Sequence, residues 1–138
     1  MLVHPCSKSQ ESGFVAQLGD WVFPANFASV TEVRIRVVEA LISSKARSTA
    51  DTEIVVDELV ANAIVHAKTE FRVILDRLRT GIRITVQDQS IRPPEKQSPD
   101  PLDESGRGLI LIDHVADDWG HHLNGEGKCV WAEVPVTF

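Results

Sequence analysis

Apolar and polar positions follow two different periods along this chain, and the changeovers between them mark its elements. Residues 51–67, DTEIVVDELVANAIVHA, run at the helical period of about 3.6 residues per turn. Ile54, Val56, Leu59, Val60, Ala63, Ile64 and Ala67 form a broad apolar stripe suited to packing on a sheet. An earlier helix is expected from Ser29 to about Ser43, opened by Ser29-Val30-Thr31-Glu32 as a capping box. Its buried face would carry Val33, Val37, Val38, Leu41 and Ile42. Ser48 or Thr49 stands where it can cap the central helix.

The period then shortens to two. Phe71–Leu78 is apolar and β-branched, and Ile82–Asp88 alternates Ile82, Ile84 and Val86 with Arg83, Thr85 and Gln87. Thr80-Gly81 between them predicts a hairpin. A second hairpin is expected from His121–Leu123 and Lys128–Val136 across Asn124-Gly125-Glu126-Gly127. Leu109, Ile112, Val115 and Ala116 predict a short third helix, and Asp20–Pro24 a short first strand that Pro24 stops. Residues 1–19 are polar and irregular, expected as a loosely ordered leader. Residues 89–105 hold Pro93, Pro94, Pro99 and Pro101 and predict a long loop, of the length that lids and binding loops have. Hairpins with helices between them imply an α+β two-layer sandwich, a mostly antiparallel sheet covered on one face.

Composition changes this picture little. At 138 residues, 43% hydrophobic and 25% charged, the chain reads as one soluble domain. A formal net charge of -6 without a basic stripe argues against general nucleic-acid binding. No apolar run has the length of a signal peptide or membrane span, so a cytoplasmic protein is expected. Two cysteines, Cys6 and Cys129, are too few for a disulfide scaffold, and free thiols are the default expectation. His114, His121 and His122 lack the carboxylate or thiolate spacing of a zinc site and read as surface residues. Trp21, Trp119 and Trp131 are expected in the core or at an interface.

The chemistry lies in three separated pieces. Glu58, Asn62 and His66, spaced i, i+4, i+8, fall on one face of the central helix and drift by roughly 40° per step. Asp88 closes the alternating strand where the chain enters the long loop. Gly106-Arg107-Gly108 opens the third helix, where unpaired N–H groups and the helix dipole suit an anion. Each alone is commonplace. Together they describe a nucleotide site, with phosphates at Gly106–Gly108 and Mg²⁺ held by Asn62. Glu58 then stands as proton acceptor, Asp88 accepts from an exocyclic amine, and the long loop forms a cover.

ELVANAIVHA (58–67), ITVQD (84–88) and SGRGLILIDHVADDWG (105–120) resemble, in order, the three nucleotide-binding boxes of the histidine-kinase-like ATPase superfamily. Within it the chain is most similar to the stand-alone bacterial anti-sigma-factor serine/threonine kinases of the short actinobacterial type. That resemblance spans residues 20–138 and implies a Bergerat-type fold, a mixed sheet with helices and an ATP lid at 89–105. It implies ATP and Mg²⁺ as cofactors, Glu58 as general base, Asn62 as the metal ligand and Asp88 as the adenine reader. Gly106, Arg107, Gly108 and Leu109 would form the phosphate side, with His66 near the phosphates or lid. Such kinases commonly form homodimers, bind a sigma factor and phosphorylate a STAS-type anti-sigma-factor antagonist.

Two positions depart from the family pattern. Asp88-Gln89-Ser90 replaces Asp-x-Gly, so Ser90 stands where a glycine lets the chain turn closely past the base. Gly127-Lys128-Cys129 replaces a Gly-Lys-Thr or Gly-Thr segment, and a thiol is a poorer hydrogen-bond partner than a hydroxyl. These departures keep open a second reading, a catalytically weak or inactive regulator that sequesters a sigma factor or antagonist without phosphoryl transfer. A third reading, an ATPase acting on water alone, has no transducer segment to support it.

Overall fold

A computed structural model of the chain describes residues 13–89, 111–124 and 127–138. Strand β1 (Phe14–Phe23) leads to helix α1 (Ala28–Ser43) and then α2 (Ala50–Asn62), which runs on into a π-helical turn, Ala63–Ala67. Strands β2 (Phe71–Leu78) and β3 (Gly81–Asp88) form the expected hairpin. Residues 111–115 are helical (α3), followed by β4 (Asp118–Asn124) and β5 (Gly127–Pro135). The five strands lie in the order β1-β2-β3-β5-β4. All four pairings are antiparallel, so the sheet is not mixed among the described residues. The architecture is the expected α+β sandwich. No helix among the described residues is long and apolar enough to cross a membrane.

The apolar side of each element explains the layering. Val33, Val37 and Leu41 on α1 and Val55, Val56, Leu59, Val60, Ala63 and Ile64 on α2 and its π turn are buried. They pack on Val73 and Leu75 of β2, Ile82, Ile84 and Val86 of β3, and Val130, Ala132 and Val134 of β5, with Ile112 of α3 in the same cluster. The two helices are also tied by a bidentate pair. Arg34 Nε and Nη2 donate to the Asp57 carboxylate at 3.0 and 2.7 Å. Those hydrogen bonds, more than Coulomb attraction, raise the Arg34 guanidinium above its ordinary range.

Several boundaries differ from the sequence pattern for identifiable reasons. Strand β1 starts at Phe14, within the span expected to be a loose leader, because two register shifts against β2 break the alternation that would have revealed it. Ser29 is not an N-cap. The helix starts one residue earlier, and the buried Ser29 hydroxyl donates to the Pro24 carbonyl at 2.7 Å. Capping falls to Asn26, whose Oδ1 accepts from Ser29 N at 3.2 Å. Thr49 holds the N-cap position of α2 without a side-chain cap; its hydroxyl donates instead to Glu53 Oε2 at 2.8 Å. Ile42 and Ile54 point to solvent, and Val55 takes a core place instead. Strand β4 begins at Asp118, three residues before the His121 at which the hairpin was expected to start. Cys129 is disulfide-bonded and not a free thiol.

Burial and the Arg34–Asp57 bridge therefore differ in weight. Leu59→Ala is expected to lower unfolding stability by about 2–5 kcal/mol, as deletions of buried leucine do. Arg34→Ala, which breaks a half-exposed pair, is expected to cost under about 1 kcal/mol. Urea unfolding followed by circular dichroism measures both, and equal losses would contradict this ranking.

Candidate nucleotide site

The apolar stripe that seats α2 on the sheet carries one polar residue inward. Asn62, the last residue of α2, is only 7% exposed, and its Nδ2 finds no hydrogen-bond partner among the described residues. The two ends of a carboxamide are assigned from their surroundings, so this is a buried amide with one end uncommitted. Such a group costs free energy unless a ligand or water engages it. Glu58, one turn earlier, is half-buried, and Thr52 lies at the far end of the helix.

Beyond Asn62 the backbone widens into the π turn, closed by Lys68 N donating to the Ala63 carbonyl at 3.3 Å. Lys68 itself adopts the left-handed conformation at φ 56°. Single π turns inside helices recur at functional sites. Here the turn packs against β3, and His66 within it is exposed.

Asp88 ends β3 and is buried, and antiparallel register sets it opposite Lys128 of β5. Lys128 Nζ stands 3.5 Å from Asp88 Oδ2, with both side chains almost wholly enclosed. Gly127, just before it, passes so close that a Cβ would collide with the Asp88 carbonyl oxygen. Period-two alternation puts Asp88 and Lys128 on the helix side of the sheet and Cys129 on the other side. Cys129 is thus turned away from Asp88 and held in a disulfide, and it is not placed to assist that carboxylate.

A cavity of about 470 Å³ opens at this end of the sheet, with Glu70, Phe71, Gln87, Asp88 and Gln89 in its wall. Arg72 borders it too, its guanidinium engaged by Asp20 at 2.7 and 2.5 Å; these hydrogen bonds raise it above its ordinary range. A second cavity of about 300 Å³ lies by Arg47, Thr52 and Thr137, at the opposite end of α2. At 1.5 Å rise per residue that is roughly 15 Å or more from Asn62, too far to belong to the same site. Among the described residues no cluster of metal-ligating side chains occurs, and the exposed His114 and His121 fit the surface reading.

Asn62, the π turn and the Asp88–Lys128 pair are thus brought to one end of the helix layer. Ser90, Gly106, Arg107, Gly108 and Leu109 lie outside the described residues. Sequence reasoning missed Lys128, the π turn and the close approach of Gly127. For Lys128 a signal existed: a lysine paired in register with an aspartate on a buried strand.

Residues 23–134 match the family model for the histidine kinase-like ATPase domain. The chain belongs to that family. Its domain is one that binds ATP, with phosphotransfer or ATP hydrolysis as the associated chemistry. A comparison with curated proteins gives no match.

Removing one member of a buried ion pair leaves the other without compensation, a loss of about 3–5 kcal/mol. Lys128→Met is therefore expected to destabilise the fold by that amount, and adding Asp88→Asn should recover part of it. Denaturant melts of the single and double variants check this, and additive losses would contradict the pairing.

Proposed function

We propose that this protein is an ATP-dependent serine/threonine kinase that also holds a sigma factor and phosphorylates a STAS-type anti-sigma-factor antagonist. The observation that carries the reading is Asn62, a buried amide with an uncommitted end, at the end of α2 where the helix passes into the π turn that packs on β3. Membership of the ATPase family supports the nucleotide, and likeness of the three sequence boxes to anti-sigma-factor kinases supports the substrate and partner. The protein would work in the cytoplasm as a homodimer. Edge strand β1 and helix α1 offer exposed Phe14, Val15, Phe27 and Ile35 for that contact.

An amide oxygen suits Mg²⁺, which prefers hard oxygen ligands and few protein contacts, so Asn62 fits the ion. Bound there, the metal would neutralise charge on the phosphates. The Glu58 carboxylate takes the proton from the antagonist's hydroxyl as its oxygen bonds the γ-phosphorus and ADP departs. Asp88 accepts from the adenine amine, which requires its contact with Lys128 to lengthen or be shared.

That last requirement favours a second reading. Asp88 is already paired with Lys128, and the Cys129 position gives it no hydroxyl. A chain that binds partners without phosphoryl transfer would also show these features.

Calorimetry with Mg-ATP and a phosphorylation assay separate the two. Heat of binding at micromolar to millimolar nucleotide is expected. Glu58→Ala should retain that heat and lose transfer by a factor of roughly 10² or more. Asn62→Ala should lose the Mg²⁺ dependence and the activity. Unaltered transfer in Glu58→Ala contradicts the assigned base, and no heat at millimolar Mg-ATP favours the binding regulator.

A further inference from the structure

The connection between α1 and α2 helps to wall the second cavity, at the end of α2 far from Asn62. Helix α1 stops at Lys45, which is left-handed at φ 71°, and Ala46 N donates back to the Leu41 carbonyl at 2.9 Å. Arg47 N then donates to the Thr137 carbonyl at 2.8 Å, tying the connection to the segment after β5. That segment is fixed in turn by Gly81, where a Cβ would collide with the Val134 carbonyl oxygen. The cavity of about 300 Å³ is lined by Arg47, Ser48, Asp51 and Thr52 from the one segment and by Pro135 and Val136 from the other. Its volume is at the small end of ligand pockets, which run from about 300 to 1,000 Å³.

Thr52 is the buried polar residue of this wall. It is 1% exposed, and its hydroxyl finds no hydrogen-bond partner among the described residues. A helical threonine can return its hydroxyl to a carbonyl one turn back. This one does not, and an unengaged buried hydroxyl costs free energy unless a ligand or water meets it. Thr52 also lies in the first turn of α2, whose leading N–H groups have no intrahelical acceptor. Glu53 N donates to the Thr49 carbonyl at 2.9 Å and Ala50 N to the Ser48 hydroxyl at 3.4 Å. The N–H groups of Asp51 and Thr52 find no acceptor among the described residues.

Charge in the wall has both signs. Arg47 and the positive end of the α2 dipole favour an anion. Asp51 favours a cation and repels a polyanion. Both side chains are exposed, and neither forms an ion pair among the described residues. Pro135 and Val136 add an apolar surface. Phosphate or a nucleotide answers the cationic part alone. A molecule carrying a carboxylate, an ammonium and an aliphatic group answers all three.

We propose that this cavity binds a free aliphatic α-amino acid. Its carboxylate accepts from the Asp51 and Thr52 N–H groups, the Thr52 hydroxyl and Arg47; its ammonium lies beside Asp51, and its side chain lies on Pro135 and Val136. The site is separated from Asn62 by the length of α2, so nothing in it depends on the nucleotide.

Titration of the full chain, followed by backbone amide chemical shifts, tests this with three probes. L-leucine should give saturable changes at Arg47, Asp51, Thr52 and Thr137, half complete at about 1 mM or below. N-acetyl-L-leucine lacks the ammonium and L-leucinamide the carboxylate, and each should bind about tenfold more weakly or worse. Arg47→Gln and Asp51→Asn, both at exposed positions, should each weaken leucine about tenfold, and Asp51→Asn should erase its advantage over N-acetyl-L-leucine. Thr52→Val keeps the shape and removes an unpartnered hydroxyl, so urea unfolding should show stability retained or raised while leucine binding falls. No saturable change with L-leucine up to about 50 mM overturns the site. Inorganic phosphate or N-acetyl-L-leucine binding as tightly as L-leucine overturns the amino-acid assignment, as does leucine binding unchanged in all three variants.

Discussion

The structure depends on how completely the apolar stripe of α2 is buried against β3 and β5. Val55, Val56, Leu59 and Val60 leave this helix no stable position except flat on the sheet. Once it lies there, its last residue is carried into the interior whether or not a partner waits for it. Asn62 is that residue, and a buried amide with one uncommitted end is tolerated only because many apolar contacts outweigh its cost. The site is a consequence of the core. It occupies the place where the helix widens into a π turn, and where β3 delivers Asp88 to the same end of the layer.

At that end the electrostatics are built from a pair. Asp88 and Lys128 sit opposite one another in the register of β3 and β5, shielded from water, where each compensates the other's loss of hydration. Gly127 lets the two strands approach at this point. The same carboxylate is the adenine reader in the proposed function, so structural and ligand roles compete for one group. A lysine that shares its carboxylate with a base is consistent with kinase chemistry; one that keeps it is consistent with a regulator that binds proteins alone.

Much of this was legible in the chain. The helical stripe of residues 51–67, the Phe71–Leu78 and Ile82–Asp88 hairpin and the α+β layering all follow from simple periodicity. The failures have physical causes. Bulges hid the first half of β1 by breaking its alternation, and a turn through Pro24 and Asn26 displaced Ser29 from its capping role. The π turn after Asn62 leaves no compositional trace, so the chain did not announce it. The motif segment Gly127-Lys128-Cys129 did not show that Lys128, and not Cys129, shares the helix side of the sheet with Asp88, because that depends on strand register, in which adjacent residues face opposite ways. Two cysteines alone gave no spacing signature from which a disulfide at Cys129 could be expected.

The central claim is that ligand engages where α2 ends, beside Asp88. Backbone amide chemical shifts during titration of the full chain with Mg-ATP test it most directly. The account predicts that the largest changes fall on Asn62 and Ala63, on Asp88 and Gln89, and on Gly127 and Lys128, while Arg47, Thr52 and Thr137 at the opposite end stay still. Saturable changes centred on that opposite end, with Asn62 and Asp88 unmoved, would contradict it.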